Sequence, residues 1–221
     1  NSDFFIISAG LDNAAANIPN QSMNQYDFMT LMEEAVPKIF TQIDGLGSHS
    51  YPNPGFSQPP TVTGGKSVSS FKNERDLAEK LSGKFLPVFI TETGWSKEAV
   101  PEPTVASYFQ KAFSSVWNDE GIVAVTPFLL SAGMGPFEKF SLTNSSSSPS
   151  LIYESLKKLQ KTKGSPTLID MKTLDSKNAL IRSYPYPTKS FINTEINDEE
   201  RKDILTKLEV AKALFKWLIN P

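Results

Sequence analysis

The sequence predicts an α/β fold, a parallel sheet covered by helices, and three observations carry that prediction. Short runs rich in aromatic and β-branched residues alternate with longer stretches that repeat apolar residues at helical spacing. Those short runs are apolar almost without interruption, the pattern of strands buried on both faces. Four such strand-and-helix units follow one another from Phe4 onward.

The first unit opens with "FFIIS", Phe4 to Ser8, predicted as a buried strand that ends at the Ala9-Gly10 loop. "QYDFMTLMEEAVPKIF" then spaces Phe28, Leu31, Met32, Ala35 and Ile39 as one helical face, with Asp27 near its start and Pro37 set to bend or shorten it. The second unit opens with "IDGLGSHSY". A Pro/Gly/Ser stretch from Pro52 to Gly65 follows, long enough to suggest a functional loop, before "NERDLAEKLSG" resumes helical spacing. The third strand is "LPVFITE". Its helix runs from Glu102 to Trp117, with Val105, Phe109, Ala112, Phe113 and Val116 on one stripe. The fourth strand is "GIVAVTPFLL", and "SPSLIYESLKKLQK" is its helix. Four units fit either a small doubly wound domain or half of an eight-unit barrel, because a complete barrel takes about 250 residues.

The alternation defines a body over residues 1–163. Residues 164–221 read as a stiff, proline-rich linker, "SYPYPTKSF", and an amphipathic helix. In that helix Asn197 and Glu200 form a capping-box pattern, and Ile204, Leu208, Ala211, Phe215 and Leu218 share one face. A helix packed on the body is the simplest reading of that face.

Composition removes several classes of function. Apolar residues make up 39% and charged residues 21%, the balance of an ordinary globular chain, so disorder and membrane burial are excluded as overall descriptions. A net charge of -2 supplies no basic field for nucleic acid. The absence of cysteine rules out disulfides, thiolate metal sites and a cysteine nucleophile. With a single histidine, few metal ligands remain beyond scattered carboxylates, so no metal and no cofactor are predicted. No apolar run reaches the roughly 18 residues of a membrane span. The opening "NSDFFIISAGL" lacks a signal-peptide n-region and reads as starting within a longer protein.

Parallel α/β folds build their sites at the carboxyl ends of the strands. Those ends carry Ser8 and Asp12, then His49 and Tyr51, then Glu92 and Trp95, then Thr126, Phe128 and Ser131. Glu92 closes the run Val88-Phe89-Ile90-Thr91. A carboxylate there, held ionised by Tyr51 or His49, is suited to act as nucleophile or base; the alternative is a carboxylate that pairs with an arginine or caps a loop.

"FITETGWS", preceded by "IDGLGSHSYPNP", resembles the clan A glycoside hydrolases, TIM-barrel enzymes that cleave glycosidic bonds with retention. Thr91, Glu92, Gly94 and Trp95 match the family's seventh-strand motif, and Asp44, His49, Tyr51 and Pro52 match its sixth. "FEKFSL" and "SLIYESLKKL", with Tyr153, are similar to the end of such barrels. The resemblance spans roughly Phe4 to Gln160, and implies a (β/α)8 TIM-barrel type fold of which only the four C-terminal βα units, strands five to eight, are present.

It further implies that Glu92 is the nucleophile of a double displacement on a polysaccharide or oligosaccharide, that Tyr51 donates a hydrogen bond to it, and that His49 binds a sugar hydroxyl. Trp95 either stacks on a sugar or packs beneath the site. Phe128 stands where the family often has a tryptophan platform. The family's acid/base glutamate sits in an Asn-Glu pair on a fourth strand that this chain lacks. The one Asn-Glu here, Asn73-Glu74, reads as the solvent-facing start of a helix. Glu98, Glu102 and Glu138 fall in loops near the strand ends without a motif for that role.

The predicted partners are therefore a carbohydrate and a missing N-terminal half-barrel, in cis or in trans. The competing reading is a glycosidase-like domain that binds carbohydrate or acts as a scaffold without catalysis. An extracellular or cell-envelope location follows from the same resemblance, and sequons at Asn20 and Asn144 matter only in a glycosylating host.

Overall fold

The computed structural model describes residues 5–144, 146, 148–160, 202 and 206. Apart from Lys202 and Thr206, the linker and amphipathic helix assigned to 164–221 lie outside the described residues. The described part is mixed α/β, with three parallel strands in the order β1 (Leu46–His49), β2 (Val88–Thr93), β3 (Ile122–Pro127). Four α-helices, α1 (Gln25–Ala35), α2 (Phe71–Ser82), α3 (Glu102–Lys111) and α4 (Leu151–Lys157), alternate with them among the described residues.

Local chemistry sets the helix limits. Asn24 caps α1 by accepting the Tyr26 N–H at 3.0 Å, and the helix stops at Ala35, short of Pro37, whose ring disfavours a helical residue before it. α2 ends at Gly83, which takes φ 68° and caps the last turn, a conformation glycine adopts without steric cost. α3 passes into a wider π turn over Ala112–Val116, so the single helix predicted from Glu102 to Trp117 is two segments.

One face of the sheet is packed under helices. Val88 and Ile90 of β2 are fully buried in a core with Phe71 and Ala78 of α2, Val105 and Phe109 of α3, and Ile152 of α4. Phe89 and Thr91, between and beyond them on β2, are only half-buried. Arg75 of α2 reaches from this layer to Asp119, bonding at 2.9 Å, with Arg75 itself 6% exposed. Burial works against the Asp119 charge, but the Arg75 hydrogen bond and charge, the Gly121 N–H and Lys72 outweigh it and hold the carboxyl below its ordinary range.

Two sequence expectations are corrected here. Of "FFIIS", residues 5–8 do not form a buried strand: Phe5 is 55% and Ile7 38% exposed, and the segment joins the sheet through the parallel Ile7–Gly45 bridge, the Asp44 and Gly45 N–H bonds to the Ile6 carbonyl, the Ser8 N–H bond to the Gly45 carbonyl and the Gly47 N–H bond to the Ser8 hydroxyl. Its far side meets no strand among the described residues, so an apolar run that suits burial lies at an open edge. Among the described residues the sheet proper therefore has three strands, where four were predicted. Glu74 does not face solvent: it is 2% exposed, on the same helical face as Phe71 and Ala78.

Candidate active site

Glu92 owes its position to an irregularity in β2. Ser48 pairs with Ile90, but the next residue, His49, pairs with Glu92, so Thr91 is an extra residue against β1. Such a bulge re-aims the side chains that follow it. Without it His49 would stand opposite Thr91; with it the only histidine and Glu92 are neighbours at the carboxyl ends of two parallel strands.

The Tyr51 hydroxyl donates to Glu92 Oε2 at 3.1 Å, and His49 Nδ1 lies 3.6 Å from the same oxygen. The carboxylate side chain keeps 37% of its surface open, so it is held on one side and accessible on the other. Burial, then the Glu92 charge and its hydrogen bond, then the Asp12 charge, push the Tyr51 phenol well above its ordinary value. Tyr51 is consequently a donor, with its proton retained, across the physiological range.

Asp12 adds a second carboxylate to this rim through its backbone bridge with His49. Gly10, just before it, fits the loop against the His49 ring: a Cβ there would collide with Cδ2 and Nε2. Close approach of backbone to ring is thus what glycine permits at this position.

Phe128 reaches the same rim through aromatic contacts. Its ring lies 5.6 Å from Phe137 and 5.9 Å from Phe140; Phe140 in turn packs on Phe56 and, at 6.2 Å, on Tyr51. The wall so formed ends in the exposed Phe137. Phe56 comes from the Pro52 to Gly65 stretch, which thereby joins the site.

Trp95 is a correction. It is 1% exposed, its Nε1 donates to the Gln58 carbonyl at 2.8 Å, and its ring packs edge-on against Phe109 at 4.9 Å. The loop after Tyr51 covers it, so it has no face to offer a sugar and serves the core beneath the strand ends. Glu98 and Glu102 do not join Glu92 either: Glu98 lies 3.9 Å from Lys139, and Glu102 accepts the Leu151 N–H at the start of α4.

Sequence reasoning missed a layer of buried polar groups under the rim. The Ser50 hydroxyl lies 2.8 Å from that of Ser48, and accepts from Ser70 Oγ and the Phe71 N–H. Glu74 accepts from Gln25 at 3.4 Å and lies 3.0 Å from the Ser70 hydroxyl, whose one proton is shared between Ser50 and Glu74. Burial pushes the Glu74 carboxyl up to about 7, against hydrogen bonds from Ser48, Ser70 and Gln25 that favour its charge. The serine-dense "SHS" and "SVSS" were the available signal, since hydroxyls that recur between apolar neighbours need internal partners.

Among the described residues no cluster of three or more His, Cys, Asp or Glu is placed to hold a metal, and no helix is long and apolar enough to cross a membrane. No protein-family model matches the chain, and no curated protein matches it. In structure the chain is similar to a family 39 glycoside hydrolase from the gut symbiont Bacteroides cellulosilyticus WH2, at 20% sequence identity with a TM-score of 0.39. That likeness covers 57% of this chain and 28% of that protein.

Proposed function

We propose that the chain is the C-terminal half of a TIM-barrel glycoside hydrolase that acts with retention on a polysaccharide or oligosaccharide. The observation that carries this reading is the Tyr51–Glu92 hydrogen bond at the carboxyl ends of adjacent parallel strands, with His49 on the same oxygen. A phenol that keeps its proton orients one carboxylate oxygen and stabilises its charge, which leaves the carboxylate poised as a nucleophile.

In the mechanism this reading requires, Glu92 attacks the anomeric carbon as the glycosidic C–O bond breaks. A second carboxyl, roughly 5 Å away, gives its proton to the leaving oxygen. Water, deprotonated by that same carboxyl, then releases the sugar from Glu92 with net retention. His49 and Asp12 bind sugar hydroxyls in this scheme, and Phe128 with Phe137 supplies the apolar surface for a ring face.

The second carboxyl comes from an N-terminal half-barrel, in cis or in trans. Two features support that partner: among the described residues no strand pairs with the outer edge of β3, which carries exposed Val123, and none covers the far side of Phe5 to Ile7. Residues 1–163 form the half-barrel in this reading, and an extracellular or envelope location suits its substrate.

The test is reconstitution with the upstream coding region, followed by assay on a panel of aryl glycosides. Turnover with retention, abolished by Glu92→Gln, supports the proposal. The second reading, a carbohydrate-binding domain without catalysis, is favoured by one observation, that Glu98 and Glu102 are engaged elsewhere. Binding that survives Glu92→Ala without turnover selects it.

A further inference from the structure

The geometry points to Asn13 as the positioning residue of the Tyr51–Glu92 pair. Tyr51 stands just beyond β1, which ends at His49, so no strand ladder fixes its backbone. Its own N–H turns back to the His49 carbonyl at 3.1 Å. What fixes it comes from elsewhere. The Asn13 side chain donates to the Tyr51 carbonyl at 2.9 Å, and one residue earlier the Thr93 hydroxyl donates to the Ser50 carbonyl at 2.6 Å. Thr93 directly follows Glu92. The backbone that carries the phenol is thus tied on one side to the strand that carries the carboxylate, and on the other to Asn13.

Asn13 is suited to that task because its amide is buried, 2% exposed, and fully used. Besides Tyr51 it reaches Ser70 Oγ at 3.2 Å and the Ser67 carbonyl at 3.3 Å, and its oxygen accepts from Asn53 at 3.0 Å. Acceptors on the nitrogen side and a donor on the oxygen side fix the orientation of the amide. An apolar residue in its place leaves the buried Asn53 amide without this acceptor, and leaves the Tyr51 and Ser67 carbonyls only their backbone donors, the Asn53 and Ser70 N–H groups, each at 3.0 Å. The loop that bears Asn13 also bears Asp12, bridged to His49, so one segment places both neighbours of Glu92.

A purely structural asparagine would lower stability and leave the Tyr51–Glu92 bond as it is. The two cases separate by the ¹³C resonance of Tyr51 Cζ in the tyrosine-labelled protein at its natural length, at neutral pH. Tyr51→Phe assigns the resonance and Glu92→Ala marks where it falls when the bond is absent. Asn13→Ala is expected to move it at least half of the way from the wild-type position to the Glu92→Ala position. The core control Ile152→Val is expected to leave it unmoved while lowering the melting temperature. A resonance that stays at the wild-type position in Asn13→Ala overturns the proposal. If that variant does not fold, Asn13→Asp, which keeps the shape and the Asn53 bond but turns an acceptor toward the Tyr51 carbonyl, takes its place with the same two outcomes. The measurement uses no turnover, so its failure is distinct from failure of the glycosidase reading.

Discussion

The Tyr51 hydroxyl and the Glu92 carboxylate meet at 3.1 Å across the end of two parallel strands, and the bulge at Thr91 is what brings them together. A hydrogen bond to a charged group contributes about 1.5–3 kcal/mol. If that contribution is expressed in the transition state, Tyr51→Phe lowers kcat/KM of the reconstituted enzyme about tenfold to hundredfold. The variant retains the ring that packs on Phe56 and Phe140, so its melting temperature should stay close to wild type. Steady-state kinetics and a thermal melt check both halves.

Glu74 gives the fold a pH dependence of known sign. Its folded value of about 7 lies above the ordinary 4.5, so between these values the folded chain keeps a proton that the unfolded chain has released. Its contribution is complete below 4.5 and is lost as pH rises through about 7, a change of about 3 kcal/mol. Glu74→Gln removes this component. Urea titrations at about pH 5 and about pH 8 should show the variant gaining on wild type at the higher pH; an equal gap at both would contradict it.

Trp95 is a core residue, and its truncation should read out as stability. Trp95→Ala removes a ring that packs on Phe109 and Trp117 and should cost about 3–5 kcal/mol in urea unfolding. Phe128→Ala, half-buried on the rim, should cost less stability and act mainly on KM.

The edges left open among the described residues bear on the behaviour of the chain on its own. Residues Asn1 to Pro221, expressed without a partner half, should turn over no glycoside and should self-associate through the exposed β3 edge. Val123→Lys, which places a charge on a residue 47% exposed, should reduce the sedimenting oligomer. A monodisperse, active monomer would contradict this.

Apolar runs and helical spacing were enough to place β2, β3 and the four helices, although β3, unlike β2, has no buried residue. "FFIIS" misled because an apolar run announces that a surface expects a partner, and no strand among the described residues covers its far side. Glu74 was read as solvent-facing since its neighbours are charged, yet it shares the face of Phe71 and Ala78 at i+3 and i−4 spacing. Period alone cannot tell a buried polar network from a solvated stripe. The pairing of Glu92 with Tyr51 was legible through two short motifs at strand ends. Asn13 and Ser50 were not, because neither belongs to a recognisable motif and their roles show only in their contacts with Tyr51 and Thr93.

The proposed role of Glu92 requires that it form a covalent bond to a sugar. The most direct test incubates the natural-length protein with activated 2-deoxy-2-fluoro glycosides and follows intact mass, with peptide mapping of any adduct. A single glycosyl adduct on Glu92, absent from Glu92→Gln, is expected. Turnover of the parent glycoside with no adduct, or an adduct on another carboxylate, would contradict it.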